Sequence, residues 1–126
     1  LEDLPNLPAE GQGKTTEGRK QFEANQKAED YLKILQTKAK PEYQHEQGLT
    51  NEDWLTLLIT HLETTNQVID NWQGNGKACY LPGSFLPSSR RLGFGCWVRD
   101  YRRAGLRGAG AGGAFSDGGF RSAVGF

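Results

Sequence analysis

The chain changes chemical character near Pro82. Residues 1–80 contain all seven lysines, one arginine and thirteen acidic residues, a formal net charge of 8 − 13 = −5. Residues 81–126 contain seven arginines, two aspartates and neither lysine nor glutamate, a net charge of 7 − 2 = +5, together with eleven of the seventeen glycines. A single evenly built domain rarely divides its charge in this way, so each part constrains the fold separately.

The first part has the pattern of a long helix. Residues 16–39 are rich in Glu, Lys, Gln and Ala, and Ala24, Ala28, Tyr31 and Leu35 recur at helical spacing. The residue before a proline avoids the helical region, so Pro41 would end this helix. We therefore expect an extended leader over 1–15 and a helix that follows it.

A second helix is expected after a polar connector. Thr50 would be its N-cap, with an acidic residue three positions on, as in a capping box. An apolar face then extends over 54–72, and two such helices joined by a short connector predict an antiparallel hairpin over 16–76. A second copy of the chain could cover the apolar face and form a homo-oligomer through Trp54, Leu58, Leu62 and Trp72.

Short strands are expected in the remaining region, 77–126. Residues 78–81 and 92–98 have aromatic and β-branched content between proline and glycine. The fold class predicted from the whole chain is α+β: an N-terminal helical hairpin followed by a small Gly/Arg-rich region with short strands.

The tail from 99 onward is glycine-rich but carries large apolar side chains throughout, which indicates packing. Its ordered motifs are Gly95-Cys96-Trp97, Arg103-Ala104-Gly105-Leu106, Ser116-Asp117 and Gly119-Phe120-Arg121-Ser122-Ala123. Over residues 93–126 this series resembles the C-terminal end of the formylglycine-generating-enzyme-like branch of the C-type lectin fold, and in particular the variable proteins of diversity-generating retroelements. Every residue over 98–126 is also one that a codon ending in C can encode, as adenine-directed mutagenesis would leave.

The resemblance implies a truncated C-type-lectin-like fold and a non-enzymatic module whose varied C-terminal loops bind a protein or a cell-surface ligand. The surface contacts expected from it are Arg99, Tyr101, Arg102, Arg107, Phe115 and Asp117. The supporting core expected from it is Trp97, Leu106, Phe120 and Val124. Formylglycine-generating activity would need a pair of reactive cysteines near the end, which Cys96 alone does not supply, so no catalytic residue is expected.

Two other interpretations remain open. The first is a helical association domain whose arginine-glycine tail binds nucleic acid through phosphates and stacking. The second is a helical protein with an uninformative disordered tail. No cofactor is expected, and no metal, because the spacings of His45, His61, Cys79 and Cys96 match no zinc pattern. No apolar run is long enough to span a membrane and no signal peptide is visible, so we expect a cytoplasmic chain as synthesised, with an uncertain true N-terminus.

Overall fold

A computed structural model describes residues 7–37, 40–72, 74, 76–116 and 118–124. Residues 123 and 124 are described by their backbone alone. The helices in these ranges are α1 (Ala28–Thr37) and α2 (Asn51–Thr65), and single 3₁₀ turns lie at Pro41–Tyr43 and Arg99–Tyr101. The strands in these ranges are β1 (Thr15–Thr16), β2 (Arg19–Lys20), β3 (Glu46–Gly48), β4 (Ala78–Leu86), β5 (Arg91–Val98), β6 (Arg103–Gly110), β7 (Gly118–Phe120) and β8 (Ser122–Val124).

Four of these strands form one mixed sheet in the order β6-β5-β4-β7. Strands β4, β5 and β6 are antiparallel neighbours, and β7 lies parallel to β4. The pairing of β5 with β6 runs over eight residues of each strand without a register shift, whereas β4 is irregular between Leu81 and Phe85. The other strands pair two by two, β1 with β2 and β3 with β8.

Helix α1 packs on one face of the sheet, called here the α1 face. Tyr80 of β4 and Phe120 of β7 are paired in register and point to this face. The ring of Tyr31 in α1 stacks on Phe120 with centroids 4.5 Å apart, and Phe22 meets the same ring edge-on at 4.7 Å. Each of these buried aromatic rings contributes roughly 1.5–3 kcal/mol, so this cluster fixes α1 on the sheet.

Helix α2 packs on the opposite face, called here the α2 face. Cys79 and Leu81 alternate with Tyr80 along β4, and both pack in one cluster with Trp54 of α2. The Trp54 side chain is fully buried against Gly95 of β5. A Cβ at Gly95 would lie 2.4 Å from the indole ring, so glycine is needed where the helix approaches this strand.

The predicted helical hairpin is therefore wrong, because the sheet lies between the two helices. Part of the connector expected between them is β3, which pairs with β8 at the other end of the chain. Both faces of the central strands are apolar, since Cys79 and Leu81 point one way and Tyr80 the other. Each amphipathic helix buries its apolar stripe on one of these faces rather than on the other helix.

The predicted first helix is also wrong over its first half. A β1–β2 hairpin occupies 15–20, with Glu17 and Gly18 at its turn at φ 52° and 83°. Asn25 has φ 64° as well, which a helix interior does not allow. A glycine inside a helix costs about 1 kcal/mol relative to alanine, and the left-handed backbone of Asn25 interrupts a helix. Helix α1 therefore begins only at Ala28, after both residues.

The predicted start of the second helix is confirmed. The Thr50 hydroxyl accepts a hydrogen bond from the Asp53 N–H at 3.1 Å, and the Asp53 carboxylate accepts one from the Thr50 N–H at 3.0 Å. Asn66 closes the helix with φ 57°, so α2 ends earlier than predicted. None of the helices in the described ranges is long and apolar enough to cross a membrane.

The face proposed for a homo-oligomer is largely used within the chain. Trp54 is fully buried and Leu58 is 4% exposed, both in the cluster under α2. Leu62 and Trp72 are each 37% exposed. Only these last two members of the predicted face are accessible to a partner.

Candidate functional site

The part of the α1 face that α1 leaves uncovered contains an apolar pocket of about 270 Å³. This surface, called here the pocket, is lined by Trp72, Ala78, Tyr80, Phe94, Ala109, Phe115 and Gly118. Four strands contribute to it, and two of its aromatic residues are partly exposed, Phe115 by 51% and Trp72 by 37%. Apolar concave surfaces with aromatic walls are the usual places for ligands to bind.

Strand register sets the floor of the pocket. Tyr80 of β4 lies opposite Phe94 of β5, and Ala78 lies opposite Gly118 of β7. A Cβ at Gly118 would lie 2.8 Å from the Tyr80 ring. The small residues Ala78 and Gly118 therefore leave a depression between the larger rings.

One wall of the pocket is held by the segment that follows α2. Trp97 of β5 donates its N–H to the carbonyl of Asp70 at 2.8 Å, and its carbonyl accepts from the Trp72 N–H at 3.3 Å. These bonds extend the sheet beside β5 with three residues of a loop. Trp72 is fixed at the rim by backbone pairing.

A buried ion pair anchors the same segment. The Asp70 carboxylate is fully buried, and it accepts from Arg121 Nη2 at 2.8 Å and from Trp54 Nε1 at 2.9 Å. Burial raises the pKa of the Asp70 carboxyl, and the Arg121 charge and these hydrogen bonds act against that rise. Arg121 immediately follows β7, and Trp54 belongs to α2. The Asp70 carboxylate therefore connects the Trp72 segment to α2 and to the last strands.

The other wall is Phe115, in the loop between β6 and β7. The Phe115 carbonyl accepts hydrogen bonds from the Asn25 N–H at 3.0 Å and the Gly118 N–H at 3.2 Å. Earlier in the same loop, the Ala111 carbonyl accepts from the Glu29 N–H in the first turn of α1 at 3.0 Å. The start of α1 thus holds the loop that presents Phe115.

Arg107 of β6 lies beside the pocket. It is the direct register partner of Phe94, so the two side chains share the α1 face about 5 Å apart at their Cβ atoms. Arg107 is exposed, and no carboxylate forms an ion pair with it in the part of the chain that the structure describes. Burial raises the pKa of the neighbouring Cys96 thiol, and the Arg107 charge acts against that rise.

The other arginines and the tyrosine predicted as contacts surround the turn between β5 and β6. Arg99 and Tyr101 are exposed in the 3₁₀ turn, where Arg99 pairs with Asp100 at 3.6 Å. Arg102 follows at φ 52° and is also exposed. The guanidinium of Arg103 lies 5.0 Å from the centre of the Tyr101 ring.

The predicted contacts are therefore found in two places: Phe115 and Arg107 at the pocket, and Arg99, Tyr101 and Arg102 at the turn. Asp117 lies outside the described residues. Of the predicted supporting core, Phe120 is fully buried and Trp97 is partly buried on the α2 face, whereas Leu106 is 40% exposed and so is not core. The side chain of Val124 also lies outside the described part.

Sequence reasoning missed most of the pocket. The helical pattern places Trp72 on the apolar face of the second helix, although Asn66 ends that helix and a polar segment follows it before Trp72. The predicted strands include Ala78, Tyr80 and Phe94, and period-two alternation is the signal that places Ala78 and Tyr80 on one face of their strand. The alternation does not predict which part of a sheet face a helix leaves uncovered.

The four soft metal ligands of the chain do not form a site in the described ranges. No group of three or more His, Cys, Asp or Glu residues there could hold a metal ion. Cys79 and Cys96 are free and buried.

None of the protein-family models, curated proteins or solved structures compared with this chain matches it significantly.

Proposed function

We propose that the protein is a non-enzymatic binding module that recognises a protein or cell-surface ligand with the surface around the pocket. The pocket is the single observation that carries this proposal. Phe115 and Trp72 are large rings left exposed at its rim although hydrogen bonds fix the backbone of both. Rigid aromatic rings around an apolar depression gain binding energy without a large cost in ordering.

The ligand has an apolar or aromatic group with an acidic group beside it. The apolar part fills the space between the two rims, over Ala78 and Gly118. The acidic part meets Arg107 of β6, whose register partner Phe94 lines the pocket. The resemblance of residues 93–126 to variable binding proteins supports the same surface, because Arg107 and Phe115 both lie in that segment.

The three tryptophans provide built-in reporters for a binding experiment. Trp72 lines the pocket, Trp97 lies on the α2 face and Trp54 is fully buried. Titration with anilinonaphthalene sulfonate, an aromatic anion, should shift the indole N–H resonance of Trp72 in ¹⁵N spectra. Those of Trp54 and Trp97 should stay in place. Equal shifts of all three resonances, or none at all, would count against the proposal.

Two variants test the parts of the pocket separately. Ala109→Phe would fill the space from β6 and abolish the shift at Trp72, with thermal unfolding measured to confirm the fold. Arg107→Gln should weaken binding of the sulfonate about threefold, as expected for one exposed charge contact. The matched control is Arg91→Gln, because this substitution removes the same charge from a side chain that points to the α2 face. Equal weakening by both arginine variants would show a non-specific charge effect instead.

Nucleic-acid binding is the second candidate, and the turn between β5 and β6 favours it. Tyr101 is 66% exposed and carries Arg103 against its ring, with Arg99 and Arg102 beside it. Exposed rings and guanidinium groups bind single strands by stacking and phosphate contacts. A filter-binding titration should then show affinity for single-stranded RNA that falls steeply with salt, and Tyr101→Ala should weaken it. If no RNA binding is detected at low salt, nucleic-acid binding by this turn is rejected.

A further inference from the structure

Strand β6 is the long open edge of the four-stranded sheet. It is the terminal strand in the order β6-β5-β4-β7, and the opposite edge is the three-residue β7. Strand β6 has eight residues, contains no proline and keeps an unshifted register with β5. Proteins usually protect such edges with short strands, bulges, proline or charge. Only charge is present here.

The register shows which backbone groups of β6 face outward. The Ala111 N–H donates to the Arg90 carbonyl at 3.0 Å, so this pair is of the hydrogen-bonded type. Arg90 and Ala111 continue the register of β5 and β6, in which Arg91 pairs with Gly110. Hydrogen-bonded and non-hydrogen-bonded pairs alternate along an antiparallel ladder, so every second pair from Ala111 is of the hydrogen-bonded type. The N–H and C=O groups of Ala104, Leu106 and Gly108 therefore point away from β5.

The opposite side of β5 agrees with this assignment. Trp97 is the partner of Ala104, and its N–H and C=O are bonded to the Asp70–Trp72 segment rather than to β6. One outward acceptor is already used, since Arg91 Nη2 donates to the Gly108 carbonyl at 3.0 Å. The outward N–H groups have no strand beside them in the described part of the chain.

The charge at this edge selects the partner. Arg103 and Arg107 are four positions apart on β6, so they share the α1 face at a spacing of about 13 Å. A second copy pairing through its own β6 would bring these arginines together, which is unfavourable. A strand with acidic residues four positions apart would place a carboxylate opposite each guanidinium.

From these observations we infer that β6 binds an extended acidic peptide segment, which adds a fifth strand to the sheet with its carboxylates against Arg103 and Arg107. Main-chain hydrogen bonds to Ala104, Leu106 and Gly108 provide the docking. This inference rests on the proposed function and deepens it by naming an acidic peptide strand as a ligand. It uses the strand edge and shares only Arg107 with the pocket ligand, and the backbone docking at the edge and the apolar pocket can fail separately.

The test uses two synthetic peptides as long as β6, made of threonine and valine with two glutamates. In the matching peptide the glutamates are four positions apart, and in the control they are three apart and fall on opposite faces of the strand. The matching peptide should bind up to about fivefold more tightly, because it forms two exposed charge pairs and the control forms only one. Binding should shift the amide signals of Ala104, Leu106 and Gly108 and slow their hydrogen exchange. Neither peptide has an aromatic group, so the Trp72 indole should not respond.

Variants of β6 separate backbone docking from charge. Leu106→Pro removes one outward N–H and leaves the β5 ladder intact, so it should reduce binding at least tenfold, whereas Leu106→Ala should not. The double variant Arg103→Glu with Arg107→Glu should instead prefer the peptide with lysines in place of the glutamates. This exchange decides the question if Leu106→Pro does not fold.

Three results would overturn the inference. The first is equal binding of the two glutamate peptides, and the second is binding that leaves the outward amides unchanged. The third is protection of these amides that depends on protein concentration without any peptide, which would assign the edge to a second copy of the chain. A Trp72 response to the aromatic sulfonate in the same preparation would show that the pocket binds even so.

Discussion

Replacing Gly95 by alanine tests the packing of α2 on the sheet directly. The added Cβ would lie 2.4 Å from Cδ2 and 2.7 Å from Cε2 and Cε3 of Trp54. Ordinary carbon contacts are about 3.5–4.0 Å, so the indole ring would have to move by roughly 1 Å. The ring is fully buried, and its Nε1 donates to Asp70 at 2.9 Å, so it cannot move without breaking that bond.

The cost should reach the upper end of the range for an overpacked core. Inserting one carbon into a packed interior costs about 1–3 kcal/mol, and loss of a hydrogen bond to a charged group adds about 1.5–3 kcal/mol. We expect Gly95→Ala to lower the free energy of unfolding by about 3 kcal/mol or more. Urea unfolding followed by Trp fluorescence and circular dichroism measures this change.

Gly110→Ala is the matched control for this substitution. Gly110 ends β6, and a Cβ there would meet no atom within 4 Å. Alanine is favoured over glycine in a strand by about 0.5–1 kcal/mol, so this variant should be as stable as the parent or slightly more stable. If Gly95→Ala were equally well tolerated, Trp54 would not lie against β5, and the placement of the two helices on opposite faces would be refuted.

Three further substitutions test the ion pair and the turn. Asp70→Asn should lower the free energy of unfolding by about 3–5 kcal/mol, because it removes the buried carboxylate that pairs with the Arg121 guanidinium at 2.8 Å. A change of less than about 1 kcal/mol in urea unfolding would contradict this. Arg90→Gln removes an exposed ion pair and should cost no more than about 1 kcal/mol in the same assay. Arg99→Ala combined with Tyr101→Ala should leave the thermal midpoint nearly unchanged, since both side chains are exposed, and a large drop would show that the turn is part of the core.

Local signals in the sequence identified some elements because a few adjacent residues determine them. The capping box of Thr50 and Asp53 needs only residues three positions apart, and it marks the start of α2 correctly. The strands expected at 78–81 and 92–98 are present as parts of β4 and β5. In both cases the pattern and the structure depend on the same short stretch of chain.

The failures come from contacts that are distant in sequence. Residues 16–27 have helix-forming composition, but the Asn25 N–H donates to the Phe115 carbonyl at 3.0 Å and Phe22 packs on Phe120. These contacts with distant parts of the chain hold the segment in a non-helical conformation. The two helices looked like partners because each needs an apolar surface, and no local pattern says that a sheet supplies it. The division of charge near Pro82 also does not divide the fold, because Phe22 and Tyr31 share a core with Phe120.

The candidate site shows the same limit. The resemblance of the tail to variable binding proteins predicts Arg107 and Phe115 as surface contacts, and both are at the pocket or beside it. It does not predict Trp72 and Ala78, because the pocket depends on where α1 ends and on the pairing of four strands. The Asp70–Arg121 ion pair that holds Trp72 in place joins residues from the two differently charged parts of the chain.

Amide hydrogen exchange along β6 most directly tests whether the arginine- and glycine-rich segment is folded into the sheet that carries the pocket. The amides of Gly105, Arg107 and Ala109 point toward β5 and should exchange slowly, whereas those of Leu106 and Gly108 point outward and should exchange fast. This alternation is expected only of a strand paired on one side. Fast, uniform exchange of all five amides would mean that β6 does not form, and the pocket and its edge would be lost with it.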